Sequence, residues 1–294
     1  MRKIRTRALS LLLTLVMVLG LLPGTAWAAE NAVDDPVNIS SAEELKAFRD
    51  RVNGGERTLS AVLTADIDLE NEEWIPFNPQ NGYVTSAYAG TFDGAGHTIS
   101  GLSINDSSTN GVGLFGTVNS ATIKNLKVEG TVSATKSGYV GGIVGKTSGT
   151  VTIERCSFSG SVQSSKTGVN AGAGGIIGRV NSGSVCVSGC ANTADIRGGA
   201  AAGILGYCSA NGTSIENCYS TGTISGSNRA GGIVGQVYST TPIRNCFTTS
   251  DAISGFNGEL FNCFDNSDLP IDASLLGDAF TTDAEGNVIL AWQA

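Results

Sequence analysis

The chain has 294 residues, 41% hydrophobic and 15% charged, with 18 basic against 26 acidic side chains and a formal net charge of −8. That balance argues against a nucleic-acid or anionic-membrane binder, and the apolar content excludes a disordered polymer in spite of 40 glycines. One histidine and no CxxC pair argue against a zinc site.

The N-terminus reads Met1-Arg2-Lys3-Ile4-Arg5-Thr6-Arg7, then an apolar run from Ala8 to Leu22, a Pro23-Gly24 break and a small-x-small site at Ala26-Trp27-Ala28. This is the pattern of a secretory signal peptide over residues 1–28, too short for a membrane span. It predicts an exported chain, secreted or held at the cell surface, without stable membrane insertion. Residues 29–39 read as a flexible leader. Residues 40–57 read as a capping helix: Ser41 is followed by Glu43 and Glu44, Leu45, Phe48 and Val52 share a face, and Asn53-Gly54-Gly55 stops it. From Thr58 to Leu69, alternate residues are apolar, which predicts a first strand.

Five copies of one phrase follow: Val112-Gly-Leu-Phe-Gly116, Gly141-Gly-Ile-Val-Gly145, Gly174-Gly-Ile-Ile-Gly178, Ala202-Gly-Ile-Leu-Gly206 and Gly231-Gly-Ile-Val-Gly235. Their closing glycines stand 29, 33, 28 and 29 residues apart. A fixed period in this range marks a solenoid. A second phrase trails each first one, as in Ile123-Lys-Asn125-Leu126, Ile153-Glu-Arg155-Cys156, Ile215-Glu-Asn217-Cys218 and Ile243-Arg-Asn245-Cys246. Its apolar alternation slips by one residue at Asn or Gly, where a sharp bend suits residues that tolerate left-handed backbone. The fold class that follows is all-β, a right-handed parallel β-helix over residues 58–268 with a short N-terminal capping helix, its hand set by the crossover preference.

Stacking the coils aligns like residues. Ile99, Ile123, Ile153, Val187, Ile215 and Ile243 form one internal column, and Leu102, Leu126, Cys156, Cys190, Cys218 and Cys246 another. Asn125, Asn217 and Asn245 stand at the bend, with an amide ladder through Asn217 and Asn245. On the outer face Lys124 should meet Glu154, and Glu216 should meet Arg244. The column cysteines read as buried free thiols, because stacked parallel side chains suit the disulfide dihedral poorly. Cys186 should face outward and react first. Residues 269–294 read as a C-terminal cap, with Leu275, Leu276, Phe280, Ile289, Leu290 and Trp292 covering the last coil.

The repeated phrases resemble the GLUG motif, a β-helical repeat of bacterial surface and secreted proteins. Gly90-Thr-Phe-Asp-Gly-Ala-Gly-His-Thr-Ile99 resembles the opening coils of such proteins. The resemblance covers residues 40–294 and implies a cell-surface or secreted, adhesin-like role.

Candidate chemistry is sparse. Asp66 and Asp68 alternate on one strand, about 6.5–7 Å apart, a separation that a glycosidase pair would accept. They are weak catalytic candidates, since no aromatic subsites can be placed beside them. Asp93 with His97 is better read as a turn than as an acid–base pair, and Asp283-Ala-Glu-Gly-Asn287 as a turn rather than a calcium loop. The Glu70–Ala89 loop interrupts the repeat and holds Trp74, Tyr83 and Tyr88, aromatics of the kind that stack on sugars. This loop is the expected binding surface. The expectation is a monomeric, non-enzymatic binding protein with a glycan or a host or matrix protein as partner, and no metal, cofactor or nucleic acid. A β-helical polysaccharide lyase or glycoside hydrolase, and a purely structural spacer, are the alternatives.

Overall fold

The computed structural model describes residues 35–77, 87–106, 111–168, 170–238 and 240–294. The expected signal peptide lies outside them. Val37–Ile39 is not flexible leader. It is a strand whose residues pair in parallel with Ala61–Leu63, because Ile39 is fully buried there and removes its side chain from water. The helix Ala42–Asn53 (α1) is crossed over between these two strands. Ser41 caps it by accepting from the Glu44 N–H, while the Glu44 carboxylate accepts in return from the Ser40 N–H and hydroxyl at 2.7 and 2.9 Å. Leu45, Phe48 and Val52 form its buried face.

The stretch expected as one strand from Thr58 to Leu69 is two, Ala61–Leu63 and Ile67–Asp68, with a corner between them. Alternation alone does not see the corner, because Ala65 and Ile67 keep the apolar phase through it. Beyond it the coils stack in parallel. Thr122–Ala134 runs beside Val151–Ser164 along its length, with Ile123 on Ile153 and Leu126 on Cys156. The column continues through Val187, Ile215 and Ile243 to Leu260.

Ile99 and Leu102 do not belong to these columns. Ile99 faces Val128 and Leu102 faces Gly130, while Phe92 takes the place opposite Ile123. The corner that Asn125 makes in its coil is made one coil earlier by Gly94 and Ala95, with Ala95 at φ 49° and Asn125 donating to Asp93 Oδ1 at 2.9 Å. Ile99-Ser-Gly-Leu102 repeats the letters of the later phrase on a different side of the coil. The short interval betrays this: Ile99 precedes Ile123 by 24 residues, whereas Ile123 precedes Ile153 by 30.

The bends themselves are left-handed in every later coil, with φ of 51° at Asn125, 50° at Arg155, 52° at Asn217, 49° at Asn245 and 52° at Asn262. Outside them, Lys124 does stand opposite Glu154 in register, but its ammonium pairs with Asp93 at 3.2 Å, and Glu154 turns to Arg155. Arg244, opposite Glu216, lies over the Phe261 ring at 4.2 Å instead.

The glycine phrase is the corner between the long sheet and a second, five-stranded parallel sheet made by Phe115–Asn119, Val144–Ser148, Ile177–Val180, Leu205–Cys208 and Val234–Val237. Neighbouring backbones touch there. A Cβ on Gly142 would lie 2.4 Å from Gly175 O and from the Phe158 ring, and one on Gly145 would lie 2.2 Å from Val112 N. No side chain fits, so the phrase repeats.

The C-terminal segment covers the last coil only in part, where Phe264 joins its apolar cluster, and otherwise lies along the flank. Leu276, Phe280 and Leu290 pack against Ala191, Tyr219 and Phe247 on the outer face of the coils, and Trp292 donates to Gly189 O at 2.9 Å. The last coil strand, Glu259–Phe264, keeps Leu260 49% and Phe261 46% exposed. The outward Tyr219 and Phe247 rings, stacked at 5.1 Å, offer an apolar surface on the flank, and the segment packs against them there.

Candidate functional site

The described aromatics of the Glu70–Ala89 loop, Trp74, Phe77 and Tyr88, face inward. Trp74 is 3% exposed and Tyr88 fully buried, so neither offers a ring to a ligand; Tyr83 lies outside the described residues. The loop's described residues bridge in parallel to the next coil at Glu73–Ser103, Phe77–Phe115 and Tyr88–Val118. Its rings fill the space beneath α1: Phe48 meets Phe77 at 5.7 Å and Phe92 at 6.1 Å, and Phe77 stacks on Phe115 at 4.6 Å. Trp74 Nε1 donates to Leu114 O and carries the Arg49 guanidinium over its face at 4.8 Å. The Tyr88 hydroxyl donates to Leu59 O at 2.9 Å, and burial pushes its phenol well above the usual range. Phe48 on the inner face of α1 was the sequence signal for inward aromatics.

The acids are taken up by backbone N–H groups. Asp66 accepts from the Thr98 N–H at 2.9 Å and contacts His97 Nδ1 at 3.2 Å, and these two contacts, the backbone one foremost, hold its carboxyl below the usual range. Asp68 accepts from the Glu70 N–H at 2.8 Å. His97 therefore partners Asp66, not Asp93. Asp93 is bound by Asn125, the Ala95 N–H and Lys124. Asp283 accepts from the N–H groups of Glu285 and Asn287 and from the Asn287 amide, a closed turn. Among the described residues, no group of three or more His, Cys, Asp or Glu side chains is arranged for a metal ion.

A different constellation lies on the outer face of the second sheet. The residue after each closing glycine points there: Thr117, Lys146, Arg179, Tyr207 and Gln236 stand one above another in register. The Arg179 guanidinium is sandwiched between Tyr139 and Tyr207, 4.7 Å from each ring centre, and Lys146 approaches Tyr139 at 5.9 Å. Arg179 Nε is buried and has no hydrogen-bond partner. Burial, and then the neighbouring Arg179, push the Lys146 ammonium down from its ordinary value. The rings continue along the coils: Tyr207 meets Tyr238 at 5.7 Å, Tyr238 meets Phe256 at 6.3 Å, and Arg229 lies over Phe256 at 4.7 Å. Beside Tyr139 opens a trough of about 360 Å³, lined by Lys136, Gly138, Lys166, Gly168 and Asn170. The signal was present in the repeat, as one position that reads Thr, Lys, Arg, Tyr, Gln down the stack. Its convergence with Tyr139 is a product of the corner.

Comparison with known proteins follows this architecture. Halomucin of Haloquadratum walsbyi is 34% identical over 160 residues; that alignment takes in 52% of this chain and spans 2% of the length of halomucin. The crystal structure of a candidate immunoglobulin A1 protease from Bacteroides ovatus superposes with a TM-score of 0.67 at 20% identity, covering 88% of this chain and 93% of the other. That likeness is one of fold. Residues 136–163, which hold Tyr139 and Lys146, match the family described as the GLUG motif, so the chain carries a GLUG repeat on a parallel β-helix.

Proposed function

We propose that this chain is an exported, surface-associated binding protein of adhesin-like character and not an enzyme. The observation that carries the reading is the contrast between its acids and its cations. Asp66, Asp68 and Asp93 are each engaged by a backbone N–H group, Asp66 by that of Thr98 on the next coil and the other two within turns, whereas the flank around Tyr139 and Arg179 presents cations and a ring that the coils do not require. The secretory pattern of residues 1–28, the GLUG repeat and the likeness to halomucin support a surface location. Among the described residues, no helix is long and apolar enough to cross a membrane. Partners that fit such a flank are extended polymers, glycans or matrix proteins, which a row of stacked coils can track.

The test uses the purified chain on a glycan and matrix-protein array, with parallel assays for polysaccharide cleavage and for immunoglobulin A1 cleavage. Binding without turnover is expected. Turnover that disappears on changing Asp66 or Asp68 would replace this reading with the hydrolase one.

A further inference from the structure

We infer that the flank around Tyr139, Lys146 and Arg179 binds acidic polysaccharide, a sugar chain bearing carboxylate or sulfate groups. The inference rests on the binding-protein reading above and adds the ligand class.

The cations are not there for the fold. At the same repeat position the other coils carry Thr117, Tyr207 and Gln236, so the stack accepts neutral residues. Two cations directly opposite on adjacent strands, one coil spacing of about 4.8 Å apart, repel each other and cost stability. Among the described residues, ion pairs engage cations such as Lys46, Arg49, Lys124 and Arg155, whereas no carboxylate lies within 4.0 Å of Lys146 or Arg179. This happens in a chain with more acids than bases. An anion from outside would offset the repulsion.

The guanidinium is also prepared for one. Two tyrosine rings fix Arg179, so little side-chain freedom is left to lose on binding. Guanidinium matches the geometry of carboxylate and sulfate oxygens. The adjoining trough offers Lys136, Lys166, Asn170 and the Tyr139 ring, with glycines at 138 and 168 and no large aliphatic side chain. Acidic peptides anchor through pockets for large aliphatic side chains or along a sheet edge; this trough, whose one aliphatic side chain is Ala171, better suits a hydroxyl-rich ring lying against the Tyr139 ring and bare backbone. Tyr238, 55% exposed and packed on the buried Tyr207, extends the track with Phe256 and Arg229 along the coils. A track suits a polymer better than a single anion.

The experiment measures binding of the full chain to heparin and to polygalacturonate at low and moderate salt, with neutral dextran and polyglutamate as comparison probes. The variants are Lys136→Gln/Lys166→Gln, Arg179→Gln, and Lys46→Gln/Arg51→Gln on α1, which removes as much charge elsewhere. Wild type should bind at least one polyanionic glycan, weakening as salt rises. The two flank variants should lose about tenfold or more in affinity, roughly 1.4 kcal/mol, and the α1 variant less than about twofold. Melting of each variant is recorded; if Arg179→Gln unfolds, the exposed Lys136→Gln/Lys166→Gln pair decides. Equal loss in the α1 variant, or equal affinity for polyglutamate, overturns the inference. Binding to neutral glycans or matrix proteins with none to heparin or polygalacturonate overturns it and leaves the binding reading standing. No binding to anything removes both.

Discussion

The Asn245 side-chain amide donates to Asn217 Oδ1 at 3.2 Å, and both residues hold a left-handed backbone, at φ of 49° and 52°. One residue type does two jobs: it accepts the bend and bonds to the coil above. Asn262 extends the ladder, donating to Asn245 Oδ1 at 3.0 Å and to Leu275 O at 2.8 Å. Replacing Asn217 by Val loses the bond and forces a β-branched residue into positive φ, so it should cost about 1–3 kcal/mol. Asn217→Gly loses only the bond and should cost less. Equal urea midpoints for the two variants would remove strain from the account.

Trp74 and Tyr88 are stability residues. Trp74→Ala should destabilise by about 3–5 kcal/mol, as expected of a large buried side chain. Tyr88→Phe, which leaves Leu59 O without its donor, should cost about 1–3 kcal/mol. Urea unfolding followed by tryptophan fluorescence of Tyr88→Phe and by circular dichroism of Trp74→Ala gives both values. A Trp74→Ala variant that melts with wild type would return that ring to the surface.

The thiols should divide sharply. All seven cysteines are free; Cys186 is exposed, Cys263 intermediate, and the other five buried. Cys156 and Cys190 donate to the carbonyls of Glu154 and Ser188 two residues before each, and burial pushes the Cys156 and Cys218 thiols up. Native labelling with a thiol reagent should modify Cys186 first, with Cys263 slower. Unfolding without reductant should release all seven. Fewer than seven would reveal a disulfide.

Asp93 sets part of the acid stability. Partial burial works to raise its carboxyl, but the bonds from Asn125, the Ala95 N–H and Lys124 outweigh it and hold the group below the usual range. A depressed folded value means that its stabilisation is complete above the unfolded value, about 3.9, and is lost as pH falls through the lower folded value. Asp93→Asn should therefore narrow its stability deficit against wild type as pH drops from about 5 to 2. A deficit that stays constant would show that the ionised form is not what Asn125 and Lys124 stabilise.

The C-terminal segment should act as a flank strap. Phe280→Ala empties a site against Phe247, whose ring it meets at 5.7 Å, and should cost about 3–5 kcal/mol if the strap and coils unfold together. Hydrogen exchange decides between the cases: if the strap detaches alone, protection falls for residues 276–292 and persists in the coils.

The sequence by itself determined the solenoid, because a parallel stack writes its period, its bends and its close backbone contacts into residue types that nothing else satisfies: Gly142 and Gly145 where neighbouring backbones meet, Asn217 and Asn245 where φ must be positive, Ser41 where α1 begins. It also determined the inner columns from Ile123 onward, since side-chain burial repeats with the coil. Tertiary structure decided what lies where that repetition breaks. Ile99 moved to a different side of its coil because the bend before it sits at Gly94 and Ala95, a position that local letters do not distinguish. Trp74 and Tyr88 turned inward because α1 and Phe115 leave an apolar volume there to be filled. The C-terminal segment followed Tyr219 and Phe247 along the flank because burial is non-directional, and outward rings there offer apolar surface that no repeat pattern announces. The meeting of Tyr139, Lys146, Arg179 and Tyr207 needed three coils laid in register, so each residue was visible in the sequence and their proximity was not.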